Sequence, residues 1–158
     1  MACILAVRSV LVQLGFFLHI RVATLGGAAV LPPQLLFLTA FMAVFSIVIA
    51  LFKDLPDVEG DAAADIRTAP VRLGVPAVFR MCLILLTVAY VAAIAVGATG
   101  SGPAWTRWAA GLTHGGLLAA LWARAQQADT RSPRSLHRYY MFIWKLFYAE
   151  YALLPLFR

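Results

Sequence analysis

From Gln34 to Phe52 no residue carries a charge, and from Pro76 to Val96 only Arg80 does. A helix of roughly 20 such residues crosses a hydrocarbon layer of about 30 Å, and little else can satisfy its backbone there. Three more stretches have comparable character: 3–20, 104–125 and 139–156. The pattern predicts an all-α, multi-pass transmembrane helical bundle with five spans, at about 3–20, 34–52, 76–96, 104–125 and 139–156. Composition agrees. With 63% hydrophobic and 13% charged residues and a mean hydropathy of +0.85, seven acids and thirteen bases are too few to clothe a water-soluble domain. No internal repeat, low-complexity segment or linker divides the chain, so residues 1–158 read as one domain or one piece of a domain.

The charges then set the topology. Basic residues collect on the cytoplasmic or organelle-interior side of a membrane. With five crossings, one face gathers Lys53, Arg67, Arg72, Arg80, Arg124, Arg131, Arg134 and Arg138, and the other has Arg21, Arg107 and Arg158. The net charge of +6 has no basic stretch interleaved with aromatics, which argues against nucleic acid as a partner. Cys3 and Cys82 stand in apolar runs without ligand spacing and read as buried filler. The opening residues carry neither a basic n-region nor a Ser/Arg-rich stretch of the kind that targeting segments show.

Five of the seven acids, Asp54, Asp57, Glu59, Asp61 and Asp65, fall in the single long connection 53–75. If Asp54 caps a short helix with Pro56 in its first turn, Asp54, Asp57, Asp61 and Asp65 recur at i, i+3, i+7 and i+11 on one face. Such an array repels itself unless a divalent cation offsets it, and Mg²⁺ held by a few carboxylates plus phosphate oxygens is the common solution. Lys53, Arg67 and Arg72 flank the carboxylates, where they could pair with phosphate oxygens. The chemistry indicated is diphosphate handling; the plain alternative is a solvated polar loop between two membrane helices.

The run Ile49-Ala50-Leu51-Phe52-Lys53-Asp54-Leu55-Pro56-Asp57-Val58-Glu59-Gly60-Asp61, followed by Ile66-Arg67-Thr68 and Val71-Arg72-Leu73-Gly74, resembles the second aspartate-rich motif of UbiA-type membrane prenyltransferases, and within them the plant homogentisate phytyl- and geranylgeranyltransferases. Leu121-Trp122-Ala123-Arg124-Ala125 and Tyr140-Met141-Phe142-Ile143-Trp144-Lys145-Leu146-Phe147-Tyr148-Ala149-Glu150-Tyr151 extend the likeness over essentially the whole chain. The resemblance implies the last five helices of a nine-helix fold. It implies Asp57 and Asp61 as the DxxxD metal ligands with Asp54 next, Lys53 and Arg67 as diphosphate partners with Arg72 beside them, and Mg²⁺ as cofactor. It further implies a prenyl diphosphate and homogentisate as substrates, a lipid bilayer as surroundings, a plastid (chloroplast) membrane as location, and tocopherol or tocotrienol synthesis as the purpose. In such enzymes the leaving diphosphate is stabilised electrostatically while the acceptor's ring attacks the allylic cation.

Two departures stand out. Ala64-Asp65-Ile66 replaces the family's Phe-Gly-Ile, and if that glycine serves a positive φ, Asp65 is a tolerable substitute. The stretch Ile20-Arg21-Val22-Ala23-Thr24-Leu25-Gly26-Gly27 is unlike the family's connection, and nothing matches the first aspartate-rich motif. The alternatives are therefore a truncated, non-catalytic membrane fragment and a small cation transporter. A transporter predicts ionisable groups at mid-membrane, and only Lys145 and Glu150 qualify. Five apart, those two do not share a helical face and are expected to turn inward or pair with other helices. His19, His114 and His137 lack partners at ligand spacing and read as structural. Trp144, Tyr148 and Tyr151 form a stripe expected in the core, with the wall of a prenyl site as the other reading. Gly97 to Gly102 reads as a flexible turn.

Overall fold

The computed structural model describes residues 10–100 and 103–153, and every regular element among them is helical. Cys3, Arg8 and the ends of the first and last expected spans lie outside the described residues. The chain divides into two compact units, up to Ile47 and from Val48 onward. The first unit contains α1 (Val12–His19), continued as a wider-wound turn through Ile20–Thr24, and the start of α2 (Pro33–Asp54). There Phe37, Phe41 and Phe45 stack along one face of α2, with ring centroids 6.2 and 5.4 Å apart, as a period of four dictates.

The second unit holds the end of α2, two short helices, α3 (Val58–Ala63) and α4 (Ala69–Leu73), and three long ones, α5 (Val75–Thr99), α6 (Ala104–Ala125) and α7 (Pro133–Leu153). Prolines mark several starts: Pro33 opens α2, Pro76 sits in the first turn of α5, and Pro133 opens α7. There the missing N–H costs nothing. Gly74, at φ +84°, turns the chain between α4 and α5, a conformation that L side chains rarely adopt. Gly97 lies inside α5 rather than in a turn, and Ser101 and Gly102 of the expected turn lie outside the described residues. The lack of a side chain at Gly97 lets α6 close in, because a Cβ there would stand 2.6 Å from that of Ala110. Small residues at such crossings allow membrane helices to approach closely.

Polar links reinforce the packing. Trp122 Nε1 donates to Thr87 Oγ1 at 3.1 Å across α6 and α5, and the Tyr139 hydroxyl donates to the Leu121 carbonyl at 3.0 Å across α7 and α6. Cys82 is fully buried, as expected of filler.

By length and composition α2 and α5 are apolar enough to cross a membrane, with mean hydropathies of 2.8 and 2.4 over their most apolar stretches. At 22 and 21 residues, α6 and α7 are long enough. They carry Arg107, His114 and Arg124, and Arg134, His137, Arg138, Lys145 and Glu150, which dilute their apolar character. The apolar segment Val12–Thr24 is shorter. The last helix begins at Pro133, six residues ahead of the expected 139, because its polar first turn is capped: the Ser135 N–H donates to Ser132 Oγ at 3.4 Å. The stripe of Trp144, Tyr148 and Tyr151 departs from the core expectation. Trp144 and Tyr148 stack at 5.7 Å, yet Tyr148 is 62% and Tyr151 42% exposed.

Candidate functional site

The acidic connection is anchored by an aromatic cluster. Phe52, fully buried on the last apolar turn of α2, lies 5.5 Å from Phe79 and 5.3 Å from Tyr139, which are themselves 5.0 Å apart. Leu55 is also fully buried. Between these two anchors, Lys53 and Asp54 emerge where α2 meets the polar connection. Fixing the two flanking apolar residues fixes the direction in which the charged pair leaves the bundle.

The expectation of one continuous acidic face needs correction. Asp54 ends α2 rather than capping the next helix, and Pro56 breaks the path, since it has no N–H and disfavours a helical Leu55. Asp57 then precedes α3, and its carbonyl accepts the Asp61 N–H at 2.9 Å, which places Asp57 and Asp61 one turn apart on the same side. Asp65 leaves the series altogether. It stands beyond α3 at φ 53°, the left-handed conformation expected where the family carries glycine. The Ile66 N–H reaches back to the Asp61 carbonyl at 2.8 Å and closes the turn.

Three carboxylates therefore remain. Asp54 and Asp61 are half-buried, while Asp57 is exposed. Asp54 projects past the apolar run of α2, and its carboxyl is held above the ordinary range. Burial is the largest cause and the Asp61 carboxylate the next; Lys53 opposes them, and Asp57 adds less. Of the two neighbouring carboxylates, Asp61 thus acts on Asp54 more strongly than Asp57 does, a relation the DxxxD spacing alone does not reveal. Among the described residues no three of His, Cys, Asp and Glu converge into a metal cage. Mg²⁺ does not require one, because it binds through one or two carboxylates and completes its shell with water and substrate phosphate. Two half-buried, mutually repelling oxygen donors fit that ion.

Among the expected diphosphate partners, Lys53, Arg67 and Arg72 are all exposed. Arg67 Nε sits 4.0 Å from Asp65 Oδ1 in a solvent-facing contact that competes weakly for its guanidinium.

A second polar cluster lies away from this connection. His114 on α6 places Nε2 3.2 Å from Glu150 Oε2 on α7, and both side chains are buried. His114 Nδ1 is 2.9 Å from the Ala110 carbonyl, which requires the proton on Nδ1. Tyr90 of α5 packs its ring 6.3 Å from His114, and its hydroxyl faces the Glu150 carboxylate. The sequence reads His114 as structural for want of a partner at ligand spacing, and that spacing gives no sign of Glu150, which comes from another helix. Glu150 pairs across helices, as one reading of it expected, and Lys145 is exposed.

The profile of the UbiA prenyltransferase family matches residues 2–146. Over 153 residues the chain is 50% identical to the homogentisate phytyltransferase 1, chloroplastic, of Arabidopsis thaliana, covering 97% of this chain and 39% of that protein. A probable homogentisate phytyltransferase 1, chloroplastic, of Oryza sativa is 52% identical over 156 residues, 99% of this chain and 38% of its own length. A homogentisate geranylgeranyltransferase of Hordeum vulgare is 45% identical over 154 residues, 98% and 38%. No solved structure matches. The chain spans about two-fifths of the length of these curated relatives. Since the profile covers most of the chain and the identities run along nearly all of it, the chain belongs to the UbiA prenyltransferase family.

Proposed function

We propose that this chain supplies the second Mg²⁺-diphosphate half-site of a homogentisate prenyltransferase, which transfers a phytyl or geranylgeranyl group from its diphosphate in tocopherol or tocotrienol synthesis. The observation that carries the reading is the placement of two half-buried carboxylates, Asp54 at the end of an apolar helix and Asp61 on the short helix that follows, with Lys53 next to Asp54. Similarity to relatives whose names specify homogentisate and these two prenyl groups supports the substrate assignment. Five spans in a plastid membrane, with the acidic connection on the basic side, complete the proposal. The chloroplastic relatives and the two apolar helices support it.

In this reading Asp54 and Asp61 hold the cation, Asp57 joins from the solvent side, and Lys53, Arg67 and Arg72 take up phosphate oxygens. Mg²⁺ held by Asp54 and Asp61 would supply positive charge to offset that of a departing diphosphate. The exposed basic residues stabilise the same developing charge, and the apolar walls of the long helices keep water from the allylic cation.

The test is an assay of the chain in membranes for transfer from labelled geranylgeranyl or phytyl diphosphate to homogentisate with Mg²⁺, beside Asp61→Ala and Asp57→Ala. Product that depends on Mg²⁺ and falls in Asp61→Ala supports the reading. Absence of product, together with absence of Mg²⁺-dependent binding of geranylgeranyl diphosphate, leaves a membrane fragment without this chemistry.

A further inference from the structure

The sequence pattern singles out Leu121-Trp122-Ala123-Arg124-Ala125, and the half-site above uses none of it. The structure shows where it leads. At the end of α6 and the start of α7 an open pocket of about 140 Å³ is lined by Arg124, Gln127, Ser135, Arg138, Tyr139 and Phe142, with Arg124, Gln127 and Arg138 exposed to solvent. The connection beneath it is built by hydrogen bonds. The Asp129 N–H donates to Ser135 Oγ at 3.0 Å, and Asp129 Oδ1 accepts from the Arg131 N–H at 2.9 Å. The cavity also adjoins the first turn of α7, a 21-residue helix whose N-terminal dipole favours anions.

Two guanidiniums thus line one cavity, and among the described residues neither has a carboxylate within ion-pair distance. Arg124 instead lies 5.5 Å over the ring of Phe142, a contact that orients the guanidinium without neutralising it. Tyr139 and Phe142 give the cavity an aromatic wall, and Tyr139 is fixed by its bond to the Leu121 carbonyl. We propose that this cavity is a binding site for a phosphate oxyanion, with Arg124 and Arg138 as its ligands. The aromatic wall suits a phosphate that carries a hydrocarbon tail. Guanidinium forks match phosphate geometry, and each charge-assisted pair is roughly twice as strong as a neutral hydrogen bond. The source is either a membrane lipid headgroup or free phosphate or diphosphate. The proposal stands apart from the acidic half-site and from the prenyl-transfer reading.

The competing explanation is that arginines gather in this connection only because it faces the basic side of a membrane. Arg131 and Arg134 belong to the same connection and do not line the cavity, so they serve as the control. The full chain in neutral detergent with a chelator present, so that the acidic connection cannot act through a divalent cation, is titrated calorimetrically. The probes are inorganic phosphate, inorganic diphosphate and short-chain phosphatidic acid, added separately. Saturable binding that weakens at least about tenfold in Arg124→Gln/Arg138→Gln, and stays within about twofold in Arg131→Gln/Arg134→Gln, supports the site. Tighter binding of phosphatidic acid than of both inorganic probes assigns it to lipid headgroups, and equal or tighter binding of an inorganic probe assigns it to free phosphate. No saturable binding of any probe, or equal weakening in both double variants with unchanged helical circular dichroism, overturns it.

Discussion

The pair formed by His114 and Glu150 allows a sharp test of how the last two long helices are joined. With Nδ1–H committed to the Ala110 carbonyl, one proton lies between His114 Nε2 and Glu150 Oε2, and the pair is either imidazolium with carboxylate or imidazole with carboxylic acid. The two cases differ in energy. A neutral interhelical hydrogen bond in a membrane protein averages about 0.6 kcal/mol, because the separated helices find other partners. A buried ion pair that loses one member strands a charge, at a cost of about 3–5 kcal/mol. The side chains are 9% and 3% exposed, and Glu150 Oε1 has no hydrogen bond of good geometry to share the load. The ionic case is the hypothesis put to the test, and it sets the larger figure as the expectation. His114→Leu and Glu150→Leu are each expected to cost about 3 kcal/mol, and the double variant no more than either single one, since it leaves no charge stranded. That corresponds to a coupling of about 3 kcal/mol. Reversible unfolding in mixed micelles, followed by circular dichroism and tryptophan fluorescence, measures all three. Single losses below about 1 kcal/mol, or a double variant equal to the sum of the singles, would refute the ionic reading.

Other consequences are local. Gly97→Ala places a methyl 2.6 Å from the Ala110 Cβ and should cost about 1–3 kcal/mol in the same unfolding assay; adding Ala110→Gly should recover most of the loss. Asp65→Gly relieves the left-handed conformation, worth about 1–2 kcal/mol, against an entropy cost of about 0.5–1 kcal/mol. It should therefore stabilise the chain by about 0–1.5 kcal/mol, while a loss of about 1 kcal/mol would show that Asp65 contributes more than a turn. If the proposed half-site acts in transfer, Asp54→Asn and Asp61→Asn should each lower the Mg²⁺-dependent rate about 10²–10³-fold, and Asp57→Asn less, because Asp57 is exposed and weakly coupled. Equal losses at all three positions would contradict the inequality drawn from the burial of Asp54 and Asp61.

What the sequence discloses here is divided by the range of the interaction concerned. A charge-free run is a local property, and the extents of α2, α5 and α6 fall within a few residues of their expected limits. The left-handed Asp65 is local too, since only a few residue types tolerate that conformation and Asp is one of them. The continuous acidic face failed on a local rule applied too loosely: Pro56 permits a helix to start but prevents α2 from running into α3, so the four acids fall on three separate pieces of backbone. The His114–Glu150 pair fails differently. Helical spacing tells which residues share a face of one helix and is silent about which face meets which, so a pair 36 positions apart (150 − 114) leaves no periodic trace. The same reasoning applies to Arg124 and Arg138. On sequence grounds they are two of many bases on the membrane's basic side, and only the antiparallel return of α7 beside α6 puts them around one cavity. In a helical membrane protein, a site carried by one connection is therefore legible from residue spacing. A site shared between helices becomes visible only when the packing supplies the second partner, and a buried or cavity-lining charge with no partner on its own helix is the residue at which to look for it.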